Sequence, residues 1–465
     1  MSGKQGTLGR TSAHHKGPRI FPIVTTPSTT TPRTLGFAAA LATVVANIIG
    51  TGVFTALGLQ VAAGITNGFA LLLIWGIGGL IAMAGALSYG ELAAAIRGSG
   101  GEYRFIGRIY HSGLGAVAGW VSIAVGFSAP VALAAMAIGR YAGPLVGIPA
   151  RLLGIIVIVA VTGIHLLAPA TGGRVQVVVT AVKVLLIVAF IFAGLLAGPE
   201  TSISFVPDSE SLSQVLSAPF AISLIYVSYA YSGFNAAAYF QGEVRDAERN
   251  VPRALVLGTL MVTVLYVAIN WIFLRTTELA DLFDVVEVGA VVAEQIFGSS
   301  GGRLMSGIIA LLLVSTVSAM TLAGPRVIEA MAEDLPALRP LAQRTPSGAP
   351  TRAVLLQGAL ALAFVLTDSF EGVLTYAGFT LTLFAMLAVI GVVVLRRREP
   401  GLPRPWRAWG YPWTPLFFIA FSLWTVIVVI RDRPMEAVGG AVTLGVGALL
   451  TWLVGEAGEG AGHQG

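Results

Sequence analysis

Apolar stretches long enough to cross a bilayer recur twelve times along this chain, and no soluble fold absorbs such a pattern. A hydrocarbon core about 30 Å thick needs about 20 residues of helix. Stretches of that kind fall near 36–63, 68–96, 114–140, 152–168, 175–197, 214–241, 254–274, 303–328, 353–367, 372–395, 412–430 and 436–454. The chain is 55% hydrophobic and only 11% charged, against roughly 25% charged in ordinary soluble domains. Too little polar surface remains to wrap these segments in a water-facing shell. The expected fold is an all-α polytopic membrane protein with twelve transmembrane helices, held among membrane lipid.

Lysine and arginine set the orientation. If the N-terminus is cytoplasmic, 21 of the 28 basic residues lie on the cytoplasmic side, six lie outside, and Lys183 sits within a span. This bias predicts a multi-pass protein of the cytoplasmic membrane with both termini inside. It also explains the net charge of +5 without a nucleic-acid partner. Trp406, Trp409, Tyr411 and Trp413 flank Arg396, Arg397 and Arg398 and read as an interfacial belt. Residues 1–34 are polar, basic and rich in Thr and Pro, with no apolar signal-peptide core; they read as a disordered cytoplasmic tail, and 455–465 as a second tail. The chain has no cysteine, which excludes disulfides, thiolate metal sites and cysteine nucleophiles. Nor does it contain HExxH, paired intramembrane carboxylates or a Ser-His arrangement. No enzyme activity, metal or cofactor is expected. The spans carry isolated polar stripes rather than the continuous lining a channel needs.

Two spans are interrupted at matching places: Asn47-Ile48-Ile49-Gly50-Thr51-Gly52-Val53-Phe54 in the first and Tyr229-Ala230-Tyr231-Ser232-Gly233-Phe234-Asn235 in the sixth. Glycine costs roughly 1 kcal/mol relative to alanine inside a helix, and unwound backbone at bilayer depth survives only where it is buried in protein or lines a cavity. A pair of broken spans opening two groups of five points to a transporter built as a 5+5 inverted repeat. The repeats are expected at 35–198 and 213–396, with two accessory helices at 397–454. The connection 275–302 is acidic, and Val285-Val286 to Val291-Val292 fits a short surface helix, with a simple solvated loop an equal alternative.

The break at Gly50-Thr51-Gly52 frees amides at the start of a half-helix, where the dipole favours an anion such as a carboxylate. Thr51 adds a hydroxyl donor. Close helix packing through small residues is the competing explanation. At the sixth span unwinding frees carbonyls, and Phe234 and Tyr231 are placed to close over a ligand, although aromatic residues in helices also serve as plain core. No acid lies at pocket depth in the first, third, sixth, eighth or tenth span, which favours a neutral substrate. Lys183 is mid-span, where a lysine costs roughly 2.5–3.5 kcal/mol to insert. Gln176, Thr180 and Lys183 follow spacings of four and three and share one face. Burial penalises the ammonium form, which makes a proton carrier chemically accessible; a structural or snorkelling lysine is the alternative. His165 reads as interfacial. Glu91 and Glu102 are expected to pair with Arg97, Arg104 or Arg108, and Glu243 with Arg245, Arg249 or Arg253. Ser122, Ser128 and Tyr376 are candidates for the pocket wall.

Several of these segments resemble the amino acid permeases of the amino acid-polyamine-organocation superfamily. Asn47 to Phe54 is similar to the first-helix signature, and Ser99-Gly100-Gly101-Glu102-Tyr103 to the loop between helices two and three. Tyr231 to Asn235, Gly242-Glu243-Val244 and Arg249-Asn250-Val251-Pro252-Arg253-Ala254 are similar to helix six and the loop after it. Arg326-Val327 through Ala330-Met331-Ala332-Glu333-Asp334 matches the end of helix eight. The resemblance implies a fold of the leucine-transporter type and secondary active transport of amino acids by alternating access. Substrate contacts then fall on Ile48, Ile49, Gly50, Thr51, Gly52, Tyr229, Tyr231, Ser232, Gly233 and Phe234, with the carbonyls of Tyr229 and Ser232 facing the ammonium. A fifth-helix lysine in such proteins is similar in role to a coupling sodium ion. Carried over, Lys183 is expected to meet the carbonyl near Ile49 and a hydroxyl such as Ser315 or Ser318, so that its protonation braces helix one. The expectation is proton-coupled symport of neutral amino acids, with an amino acid or polyamine exchanger on the same fold as the alternative.

Overall fold

The computed structural model describes residues 33–167, 173–345 and 350–461; the side chains of 173–176 and 454–461 lie outside that description. The expected tail at 1–34 therefore falls almost wholly outside the described residues. Among those residues the chain is helical without a β-strand, and one isolated bridge pairs Leu35 with Val244.

The first broken segment forms α1 (Phe37–Ile48) and α2 (Gly52–Ala62). Next come α3 (Gly68–Ala95), the short α4 (Glu102–Ile109), and one long rod of α5 (Ser112–Val121), a π-helical stretch (Ser122–Phe127) and α6 (Ser128–Val146). α7 (Ala150–Leu167), α8 (Gly173–Ala197) and the short α9 (Ser209–Val215) lead to α10 (Ala218–Ala230), which passes into a 3-10 segment, Ser232–Glu243. The rest is α11 (Ala247–Thr276), α12 (Leu279–Leu282), α13 (Val288–Asp334), a 3-10 turn (Pro336–Leu338), α14 (Arg339–Ala342), α15 (Thr351–Leu366), α16 (Phe370–Arg398), α17 (Trp413–Asp432) and α18 (Pro434–Ala461). α18 runs past the expected start of the second tail at 455. Its last turns hold alanine and glutamate, which favour helix and partly offset the glycines.

Ten of these helices are long and apolar enough to cross a membrane, counting α1 with α2 as one. An eleventh is added if α9 and the α10 segment, bent by 66° against each other, form one span. The expected ninth span is the shorter apolar helix α15. Its 16 residues rise about 24 Å at 1.5 Å each, less than the hydrocarbon thickness.

Local chemistry sets the boundaries. The Asn67 side chain accepts from Ala70 N–H at 3.1 Å to start α3, and Ser217 caps α10 through Phe220 N–H, each satisfying an otherwise orphaned amide. Gly147 ends α6 with φ 70°, the left-handed cap that glycine adopts without strain. Gly298 (φ 74°, ψ −179°) separates the first three turns of α13 from its long remainder, which is where the short helix in the 275–302 connection was expected.

Apolar burial cannot drive helices together in lipid, so close fit must. Glycine supplies that fit between α3 and α11: a methyl at Gly79 would stand 2.2 Å from Thr263 Cγ2. The same logic joins α1 to α11, where a methyl at Gly258 would stand 2.7 Å from Val44 Cγ1. Trp75, Tyr89, Tyr226 and Tyr266 are fully buried at the centre. Large apolar residues stay exposed on α7 (Leu152, Ile156, Val159) and α8 (Val178, Val182, Leu185), as lipid-facing surfaces require.

Candidate functional site

The two interruptions meet. A methyl on Gly233 would lie 2.4 Å from the Asn47 carbonyl carbon, and one on Gly52 would lie 2.4 Å from Ala230 Cβ. Glycine is therefore required for the backbones to approach this closely. At the first interruption Ile49 N–H closes on Val45 O and Gly50 N–H folds back on Ile48 O, both at 2.8 Å. No backbone acceptor among the described residues closes on the amides of Thr51, Gly52 or Val53. At the second, Tyr231 N–H bonds Val227 O and Phe234 N–H bonds Tyr231 O, both at 3.0 Å, and no described backbone donor closes on the Ser228 carbonyl. Tyr266 clamps the pair, donating to Ile48 O at 2.6 Å and lying 3.4 Å from Ala230 O.

Free amides on one side and the free Ser228 carbonyl on the other belong to residues lining a single cavity of about 110 Å³. Ile48, Gly50, Thr51, Gly52, Tyr229, Tyr231, Ser232, Gly233 and Phe234 all contribute to its wall; Ile49, turned into the packed core, does not. At one end the bundle is shut: Asp284 N–H bonds Gly58 O at 3.2 Å, and Tyr141 donates to Phe54 O and accepts from Gly289 N–H. Toward the other end the cavity shares Tyr239 and Arg326 with a wider polar cleft of about 1120 Å³.

The family model for amino acid permeases matches residues 35–450. The chain belongs to the amino acid permease family. The permease is 30% identical to the serine/threonine exchanger SteT of Bacillus subtilis, over 89% of this chain and 95% of the relative. It is 23% identical to the b(0,+)-type amino acid transporter 1 of Mus musculus, over 88% and 84%. It is also 27% identical to the large neutral amino acids transporter small subunit 2 of Mus musculus, over 85% and 77%. Membership places the permease in the amino acid-polyamine-organocation superfamily, among transporters rather than enzymes.

Around the permease cavity several side chains stand elsewhere than their spacing suggested. Lys183 is buried, and its ammonium donates to Thr316 Oγ1 at 2.9 Å, its one hydrogen bond among the described residues. Ser315 instead donates to its own helix at Leu312 O, and Ser318 Oγ lies 2.9 Å from His165 Nε2. Neither meets the lysine. Thr316 in turn lines the cavity, with Cγ2 3.8 Å from where a methyl on Gly50 would stand. The lysine thus reaches the first interruption through one hydroxyl. Thr180, on the same face, donates to Ala42 O of α1 at 3.3 Å; the Gln176 side chain lies outside the described residues.

Tyr231 is part of the wall, its hydroxyl donating to Trp75 O at 3.2 Å and its ring 5.1 Å from that of Tyr266. Phe234 packs edge-on to Tyr89 at 5.4 Å and against Phe418 at 6.2 Å. Ser122 lies 3.3 Å from the Tyr239 hydroxyl, Ser128 bonds its own helix, and Tyr376 turns to Thr443.

The charged residues also sort differently. Glu91 takes Arg396 at 2.6 Å, Arg404 at 3.5 Å and Ala408 N–H at 2.7 Å. Arg97 pairs with Glu248, Arg104 with Glu333, Arg108 with Glu399, and Glu243 with Arg326. The Arg108 guanidinium holds the Glu399 carboxyl below the usual carboxylate range. In α4, burial pushes the Tyr103 phenol well up, so it stays a donor to Asp334. Glu102 takes none of these cations and instead lines the cavity, reaching it from the start of α4 rather than from any of the five spans whose lack of acids favoured a neutral substrate.

Proposed function

We propose that this permease carries small neutral amino acids across the cytoplasmic membrane by alternating access and exchanges one for another. One observation carries this reading: the two interruptions bring free amides and the free Ser228 carbonyl to the same small cavity. A substrate carboxylate fits the Thr51 and Gly52 amides at the α2 N-terminus, and its ammonium fits the Ser228 carbonyl. The site is concave, largely apolar and bears few oriented polar groups, as small-ligand sites do.

Twelve spans in a leucine-transporter-type inverted repeat are the reading that the two breaks and the family support, with α15 and the α9–α10 pair as the remaining spans. Under the positive-inside rule the arginine-rich cleft is cytoplasmic and both termini lie inside. The described conformation is then one closed outward and continuous inward. Exchange of small hydroxylated amino acids is favoured by similarity along nearly the whole chain to a serine/threonine exchanger.

A second reading, proton-coupled symport, is favoured by the Lys183 ammonium, which has a single hydrogen-bond partner deep in the bundle. One experiment separates the two. Radiolabelled serine, threonine, alanine and leucine are offered to liposomes containing purified protein, either empty under an inward proton gradient or preloaded with unlabelled amino acid. Exchange predicts uptake only into preloaded vesicles, unaltered when the gradient is collapsed. Accumulation in empty vesicles that vanishes with the gradient overturns exchange in favour of symport.

A further inference from the structure

Glu102 is a buried carboxylate whose hydrogen-bond partners are neutral. It is 5% exposed, accepts from Tyr89 Oη and Asn235 Nδ2 on Oε1 at 2.7 Å each, and accepts from Tyr239 Oη on Oε2. The nearby arginines are engaged elsewhere, Arg104 with Glu333 and Asp334 and Arg108 with Glu399. Among the described residues no cation pairs with it.

The loop before it explains how it arrives there. Gly98, Gly100 and Gly101 have φ of 111°, 120° and 54°, values that side chains rarely tolerate. A methyl on Gly101 would stand 2.7 Å from the Tyr239 ring. The glycines let the loop press against the 3-10 segment and turn Glu102 inward, away from its basic neighbours.

An anion taken out of water without a counter-ion is costly unless a cation reaches it. Three donors occupy three of roughly four lone-pair positions, which leaves Oε2 able to take one more. The residue lines the central cavity beside Tyr239, which the cavity shares with the cleft, and the same junction carries Arg326. Arg326 is itself paired with Glu243 at 3.3 Å, so the throat bears one carboxylate without a counter-ion, matching the ammonium of an amino acid.

We propose that Glu102 is a second binding station for the substrate ammonium, occupied as the amino acid passes between the central cavity and the cleft. This rests on the transport reading above. The ligand class is a primary ammonium.

The test compares half-saturation at the two faces, using whole cells for one and inside-out vesicles for the other, with Glu102→Gln against wild type and ethylammonium as a competitor that has no carboxylate. The amide keeps the shape and loses the charge. The expected result is a KM at the cleft face raised at least tenfold, with the opposite face within twofold, and ethylammonium competing only at the cleft face of wild type. A KM raised alike at both faces, or a loss confined to maximal rate, assigns Glu102 a structural role and overturns the proposal. If the variant does not reach the membrane, the wild-type result decides: failure of ethylammonium to compete at the cleft face overturns the station while leaving amino acid transport intact. Absence of any wild-type amino acid transport overturns both.

Discussion

Replacing Lys183 with alanine is expected to lower amino acid transport at least tenfold while the purified protein remains monodisperse and folded. The lysine joins α8 to Thr316 of α13, and Thr316 stands against Gly50 at the first interruption. A hydrogen bond to a charged group contributes about 1.5–3 kcal/mol, and each 1.36 kcal/mol is tenfold in rate. Thr316→Val removes only the acceptor and leaves the ammonium buried without a described partner; transport is expected to fall about ten- to hundredfold. Thr316→Ser restores the hydroxyl and most of the rate. Initial transport rates in liposomes check the series, and a Lys183→Ala rate within twofold of wild type removes the lysine from the mechanism.

Gly233→Ala is expected to have a comparable effect for a different reason. The added methyl meets the Asn47 carbonyl carbon at 2.4 Å, Ile48 N at 2.5 Å and Asn47 O at 2.6 Å. All three are backbone atoms, so no rotamer change relieves the contact, and α1 must move away from the 3-10 segment. Overpacking of this kind costs about 1–3 kcal/mol, which lowers thermal stability and separates the two half-sites. Transport should fall more than tenfold. Gly76→Ala is the control, because a methyl there meets nothing within 4 Å, and it should transport as wild type.

The frame of this site was legible in the sequence because its causes are local. Glycines interrupting two apolar spans, a mid-span lysine and the Ser99-to-Tyr103 motif each carry a physical cost that only a function or a close contact offsets. What escaped depends on rotation and three-dimensional reach. Ser315, Thr316 and Ser318 are near neighbours on α13, where each residue turns the helix by about 100°. Only the packing of α13 against α8 selects Thr316 and sends Ser318 to His165. Glu102 was placed with the arginines nearest it in sequence, whereas three positive-φ glycines turn it toward Tyr239. Tyr266 reads as an ordinary core aromatic in α11, and its bond to Ile48 O appears only once the interruptions are brought together. The short ninth span, by contrast, was legible, because α15 stops at Leu366 where the polar Thr367, Asp368 and Ser369 follow it.

The central claim, that the substrate carboxylate rests on the amides of the first interruption, is tested most directly by equilibrium binding to purified protein carrying Gly50→Ala. An added methyl there meets nothing closer than 3.8 Å, so the fold accommodates it, but the methyl narrows access to the Thr51 and Gly52 amides. Binding of radiolabelled L-serine, L-threonine and L-alanine is measured for wild type and variant, with thermal stability recorded for both. The account predicts saturable binding of at least one of these by wild type, weakened tenfold or more in the variant at unchanged stability. Equal affinity in the two proteins would contradict it and place the carboxylate elsewhere.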